Sequence, residues 1–255
     1  MDLPKHASEA GILAQEKMAE GVYRITVDSP EIAREARPGN FVHVRLPGTD
    51  LLLRRPLGIA DADEERGTVD LIYRVLGRGT AAFSTLRPGD RVNLLGPLGR
   101  GFSEEPEHPL LVGGGMGLSP LLFCAKRMGK RADVLMGGKC ASEMFWAGLF
   151  APHVSEIRIA TDDGSLGEKG FAVAFLPDLL EKGAYDGVLA CGPEVMMRKA
   201  AQIARDAGIP CQVSLERRMA CGLGACLSCS VDGADGSRKK VCKDGPVFWA
   251  EEVFP

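Results

Sequence analysis

Cys221, Cys226, Cys229 and Cys242 crowd into the last 35 residues of a 255-residue chain and are its sharpest chemical signal. Their order, C-x4-C-x2-C and then a fourth cysteine, is the form of a plant-type [2Fe-2S] loop. Bridging two irons needs four thiolates converging on one small volume. Gly222, Gly224 and Ala225 leave room around the sulfides, and glycine permits positive φ there. The gap to the fourth cysteine is shorter than in plant-type ferredoxins, so a different surrounding fold is expected. A structural zinc ion would also accept four thiolates. Zinc ribbons normally present two short C-x2-C knuckles, and only one pair here has that spacing, which favours iron and sulfide.

Two glycine-containing loops offer a different chemistry. Gly113-Gly114-Gly115-Met116-Gly117 lies between an apolar run, Leu110-Leu111-Val112, and a helix-like segment opened by Ser119-Pro120. Backbone N–H groups at such a junction can hold a pyrophosphate, although glycine turns also serve ordinary packing. Cys191-Gly192-Pro193 repeats the arrangement after a second apolar run. Two such loops at one end of a sheet define a ligand crevice, so together they point to a dinucleotide site. Nearer the N-terminus, Arg54-Arg55-Pro56-Leu57 can clamp a diphosphate, Ile72-Tyr73-Arg74 sets an aromatic beside a cation, and Gly79-Thr80 can cap a short turn. Each of these, taken singly, is also what a solvated barrel rim would carry.

The elements that must position these residues fall into three blocks, expected at 1–105, 106–210 and 211–255. In the first, Val42, Val44 and Leu46 alternate with Phe41, His43 and Arg45, and Val69, Leu71, Tyr73 and Val75 alternate with Asp70, Ile72, Arg74 and Leu76. Period two means strands, and Pro38-Gly39-Asn40 and Pro88-Gly89-Asp90 mark turns between them, so an antiparallel β-barrel is predicted. No helix of useful length is expected there beyond a short turn after Thr80. The second block alternates apolar runs with helical segments, predicting a parallel α/β sheet with strands near 110–112, 133–136, 157–161 and 187–190 and a clear helix over 193–207. The third is too rich in glycine and cysteine to build a large core alone and needs a metal or disulfides.

Composition bounds the function classes. With 31 Lys and Arg against 34 Asp and Glu the net charge is −3, which offers no basic footprint for nucleic acid. The longest charge-free stretch, 109–125, is interrupted by the glycine cluster, so no membrane span is expected. The N-terminus shows no basic-then-apolar signal pattern, and cytoplasm is the expected address. Cys124, Cys140, Cys191 and Cys211 then read as thiols rather than disulfides.

The combination resembles the electron-transfer subunit of class 1B dihydroorotate dehydrogenases, within the ferredoxin–NADP reductase-like superfamily. The resemblance runs over nearly the whole chain. It is carried by Arg55-Pro56-Leu57-Gly58, Ile72-Tyr73-Arg74, Gly79-Thr80, Gly96-Pro97-Leu98-Gly99, the glycine loop, Cys191-Gly192-Pro193, ERRMACGLGACLSC at 216–229 and VCKDGPVF at 241–248. The last two segments are the most specific. It implies FAD along Arg55, Pro56, Leu57, Gly58, Ile72, Tyr73, Arg74, Gly79 and Thr80, and a [2Fe-2S] cluster on Cys221, Cys226, Cys229 and Cys242. NAD is expected at Gly113, Gly114, Gly115, Gly117, Cys191, Gly192 and Pro193. Gly58 departs from the family's usual Ser or Thr, removing a hydroxyl expected near flavin N5.

NADH gives two electrons at once and the cluster accepts one at a time, so a flavin must stand between them. No side-chain acid or base is required, and none is assigned. The resemblance further implies passage of electrons between NAD and the FMN of a dihydroorotate dehydrogenase catalytic subunit, in a heterotetramer of two of each chain serving pyrimidine biosynthesis. The nearest rival is a subunit of an NADH-dependent ferredoxin:NADP oxidoreductase or sulfide dehydrogenase, a family that often replaces the first cysteine; Cys221 favours the dihydroorotate reading. NAD over NADP is likewise implied by the family, with Lys139 after the second α/β strand as the residue that could meet a 2′-phosphate. The tail Val247-Phe248-Trp249 with Val253-Phe254 is expected either to dock the partner or to cover the cysteine block.

Overall fold

The computed structural model describes residues 6–255, so the first five residues of the segment read for a leader lie outside the described residues. Six strands close a barrel: β1 (His6–Ala19), β2 (Val22–Asp28), β3 (Phe41–Arg45), β4 (Arg55–Asp63), β5 (Thr68–Arg74) and β6 (Arg91–Leu98), in the order β1-β2-β5-β4-β3-β6. β1 pairs with both β2 and β6, which removes every free edge. On β5 the alternation is as predicted: Val69, Leu71 and Tyr73 fill the barrel. β3 departs from it, because Phe41, Val42, His43 and Val44 are all buried. Val42 and Val44 face the barrel core, while Phe41 joins the core of the neighbouring sheet. The face expected to meet water is covered by later parts of the chain. The expected turns form, with Gly39 and Gly89 at φ of +89° and +95°. Two short helices, α1 (Pro30–Glu35) and α2 (Arg78–Phe83), complete the block. α1 was not foreseen, since six residues are too few to display a helical period.

The second block is a parallel sheet with helices: β7 (Pro109–Gly114), α3 (Leu118–Met128), β8 (Asp133–Gly138), α4 (Trp146–Phe150), β9 (Ile157–Thr161), β10 (Glu168–Lys169), α5 (Leu176–Lys182), β11 (Gly187–Cys191), α6 (Glu194–Asp206) and β12 (Cys211–Ser214). β7 and β11 are buried along their whole length, which is why they read as unbroken apolar runs. After β12 come the hairpin strands β13 (Ser230–Asp232) and β14 (Arg238–Lys240), then β15 (Val247–Trp249) and α7 (Ala250–Val253). The sheet order is β10-β9-β8-β7-β11-β12-β15, and β15 is antiparallel to β12. The cysteine block is therefore rooted in the central sheet at both ends: β12 leads out of it and β15 leads back.

That placement corrects one expectation. Val247, Phe248, Val253 and Phe254 are each no more than 5% exposed, so they are core and cannot dock a partner. They pack in one cluster with Val213, Val241, Cys229 and Cys242, which joins the cysteine block to the sheet. Among the described residues no helix is long and apolar enough to cross a membrane.

Candidate functional site

β4 and β5 run beside the start of α3, and between them lies a cleft of about 320 Å³. Arg55, Pro56, Leu57 and Gly58 line it from β4; Ile72, Tyr73 and Arg74 from β5; Thr80 from α2. Met116, Ser119, Pro120 and Cys191 form the opposite wall, and Met219 and Pro246 bring in the cysteine block. Residues predicted from three separate motifs thus share one cavity. The arginine fork, however, is divided. Arg54 turns away and donates to the carbonyls of His43 (3.2 Å) and Asn93 (3.1 Å), so only Arg55 faces the cleft. Gly79 serves that side chain: the Arg55 guanidinium occupies the space a Cβ there would need. Thr80 spends its hydroxyl inside α2, accepting the N–H groups of Leu76 (2.8 Å) and Gly77 (3.2 Å). The Tyr73 ring packs in the barrel against Tyr23 and Phe83. By alternation Ile72 and Arg74 are then the β5 side chains that reach the cleft.

Arg74 pairs with Glu143 at 3.3 Å, yet its Nε is buried without a partner, as is the hydroxyl of Ser119 on the facing wall. Two orphaned polar atoms on a mostly apolar cleft suit a ligand with its own polar rim, as a flavin nucleotide has. Ser119 was legible in the sequence only as a helix-opening residue; its position in the cleft follows from the tilt of α3 across β4. At Gly58 a Cβ would stand 3.8 Å from Pro120, so the serine or threonine usual in the family would fit.

The nucleotide loops sit where the sheet order reverses, after the adjacent strands β7 and β11. A second cavity of about 290 Å³ is lined there by Gly114, Gly115, Met116, Gly117, Gly192, Pro193, Glu194 and Arg217. The glycines have different reasons. A Cβ on Gly117 would strike the Cys191 backbone, and one on Gly113 would strike Leu118, so these two permit close packing. Gly115, at φ +57°, has open space above it. Cys191 lies on the cleft side, buried, its thiol pushed up to about 12 chiefly by that burial. It is a neutral group between the two cavities. Arg217, from the cysteine block, bonds Glu194 at 2.9 Å and ties that block to the start of α6.

The four predicted cysteines are gathered by backbone donors. The N–H groups of Leu223 and Cys226 point at the Cys221 sulfur (3.3 and 3.5 Å), that of Gly224 at Cys242 (3.2 Å) and that of Cys242 at Cys229 (3.4 Å). N–H groups converging on sulfur are the surroundings that stabilise thiolate in an iron–sulfur site. Cys229 and Cys242 are buried and Cys226 is exposed. The Cys226 thiol is lowered to about 6 by the Ser228 hydroxyl and N–H and by Cys221, whereas burial, with Cys229 beside it, pushes Cys242 up to about 12. Among the described residues no three His, Cys, Asp or Glu side chains close round a single-ion position. Four thiols strung between an exposed loop and a buried floor are a donor set for two irons rather than one.

Comparison with known proteins agrees part by part, then as a whole. Residues 14–102 match the model of the oxidoreductase FAD-binding domain, and residues 216–254 that of the iron-sulfur cluster binding domain of dihydroorotate dehydrogenase B. The dihydroorotate dehydrogenase B (NAD(+)) electron transfer subunit of Desulforamulus reducens is 40% identical, covering 96% of this chain and 97% of its own. That of Geobacillus thermodenitrificans is also 40% identical, over 95% and 96%. The chain belongs to the dihydroorotate dehydrogenase B electron transfer subunits. The family's two matched domains coincide with the barrel and with the segment that leaves and rejoins the sheet. Among solved structures, an NADH-dependent reduced ferredoxin-NADP oxidoreductase is 33% identical with a TM-score of 0.85, covering 97% of this chain and 90% of that one. A ferredoxin NADP+ reductase from Neisseria gonorrhoeae, at 16% identity and a TM-score of 0.66 over 79% and 92%, shares the fold.

Proposed function

We propose that this electron transfer subunit passes electrons between NAD(H) and the FMN of a dihydroorotate dehydrogenase catalytic subunit, through FAD in the cleft and a [2Fe-2S] cluster on Cys221, Cys226, Cys229 and Cys242. One observation carries the reading: a single cleft is walled by the barrel, by the nucleotide loops and by Met219 and Pro246 of the cysteine block. FAD, when bound, accepts a hydride's two electrons and releases them singly, which is what a one-electron cluster needs.

The chain's own residues supply position and charge. Arg55 and Arg74 hold the anionic and polar parts of FAD, and Ser119 offers its free hydroxyl from the other wall. Gly115 and Gly192 leave the backbone bare where the pyrophosphate of NAD must approach. Cys191 stays a neutral thiol where nicotinamide and flavin meet, so it adds no charge against hydride transfer. Glu143, which accepts the N–H of Lys139 at 3.0 Å, sets a negative charge beside that lysine and works against a 2′-phosphate, in favour of NAD over NADP. The exposed Cys226 marks the exit toward the partner, because electron transfer requires close approach. We place the complex, a heterotetramer of two of each subunit serving pyrimidine biosynthesis, in the cytoplasm; eight free cysteines suit a reducing compartment.

Quantifying cofactors in the purified chain tests the scheme: one FAD and one [2Fe-2S] cluster are expected. Zinc in place of iron, with no flavin released, would overturn it. The 33%-identical ferredoxin-NADP oxidoreductase keeps a second acceptor in view. Co-purification with an FMN protein that reduces NAD+ from dihydroorotate separates the two; ferredoxin reduction without it favours the alternative.

A further inference from the structure

His43 is fully buried on β3, and neither of its ring nitrogens has a hydrogen-bond partner. A buried polar pair left bare is costly, and native interiors almost always satisfy it. The ring does not float in an apolar pocket. A Cβ built on Gly222 would lie 2.7, 2.8 and 3.1 Å from Cε1, Nδ1 and Nε2 of His43. The edge carrying both nitrogens is therefore the edge turned toward the Cys221-Gly222-Leu223 loop. Gly222, at φ +70°, supplies the missing side chain that lets it come so close. On its other side the ring meets Phe41 at 5.6 Å between centroids, and Phe41 pairs with Gly58 and lines the flavin cleft. His43 thus stands between the flavin strand and the cysteine loop, with its polar edge toward sulfur.

We propose that His43 is a positioning residue of the [2Fe-2S] cluster, its imidazole N–H donating to sulfur held by the Cys221 loop and raising the cluster's reduction potential. The inference rests on the cluster assigned above. An imidazole carries at least one N–H in either protonation state. Hydrogen bonds to cluster sulfurs are among the levers that set potential, and a group that orients a ligand loop is commonly as important as the ligands. The sign follows from charge: reduction adds an electron, the sulfurs become better acceptors, and a donor stabilises the reduced form.

The test uses the full chain with its cofactors, labelled with 15N-histidine and reduced, and reads pulsed EPR of the cluster spin. Histidine nitrogen coupling is expected. His6 is engaged with Glu35 and His108 with Asp133, so neither competes for the assignment. His43→Phe, which keeps ring volume but removes the donor, should abolish the coupling. It should also shift the midpoint negative by about tenfold in the reduced-to-oxidised ratio, about 59 mV for one electron. A normal [2Fe-2S] signal without histidine coupling overturns the role of His43 and leaves the cluster standing. An unchanged midpoint in His43→Phe overturns the effect on potential. If that variant fails to assemble, the wild-type coupling alone decides. Absence of any [2Fe-2S] signal in the wild-type chain would instead strike the function proposed above.

Discussion

Cys226 and Arg55 separate the two cofactors at the level of single side chains. Cys226 is an exposed thiol on the outer loop, and no atom of it lines the flavin cleft. Cys226→Ser is expected to remove or weaken the cluster while FAD remains bound and NADH still bleaches it; flavin loss in that variant, seen by absorbance after gel filtration, would contradict the separation. Arg55 is the one arginine of its pair that faces the cleft, and a charge-assisted hydrogen bond is worth about 1.5–3 kcal/mol. Arg55→Ala should therefore weaken FAD roughly 10- to 100-fold by fluorescence titration. Arg54→Ala should act differently. It strips hydrogen bonds from β3 and β6 and lowers thermal stability before it touches FAD affinity.

At the level of elements, the contact between the β7 and β11 loops and the strand β15 matter most. Gly117 lies against the Cys191 backbone, which cannot swing aside as a side chain can. Gly117→Val is expected to cost about 1–3 kcal/mol by overpacking. It should also raise the NADH KM, with flavin content unchanged; a normal KM would detach the loop from the nucleotide site. β15 closes the sheet with Phe248, which is 1% exposed. Phe248→Ala should lose about 3–5 kcal/mol in chemical denaturation. Truncation after Pro246 should for the same reason damage folding first and partner binding only as a consequence.

For the whole molecule, the decisive feature is that the cysteine block has no separate root. It leaves from β12 and returns through β15, and its buried cysteines share a core with the sheet. Small metal-bound domains with no other core unfold when the metal goes. Here, removing the cluster with chelator and reductant is expected to leave far-UV circular dichroism and bound FAD nearly unchanged, with disorder confined to 219–229. Loss of cooperative unfolding in the stripped chain would show the block to be an independent unit after all.

The cysteine spacing, the glycine loops after apolar runs and the period-two strands were each readable along the chain, because each is a local pattern of adjacent or near-adjacent residues. They were enough for the barrel, the parallel sheet, the cluster ligands and the flavin motifs. Other matters were settled only by folding. Arg54 and Arg55 are neighbours of the same type, yet strand alternation sends one to the β3 and β6 carbonyls and the other to the cleft. Gly113 and Gly115 sit in one motif, but one is a packing glycine and one an open one. Val247, Phe248 and Phe254 are hydrophobic in any reading; whether that face meets a partner or a core depends on β12, more than 30 residues upstream of β15. His43 looked like the polar half of an alternating strand, and only the arrival of Gly222 across the chain buried it. Local spacing encodes what a residue can do, but burial and partnership are set by segments distant in sequence, which no local pattern contains.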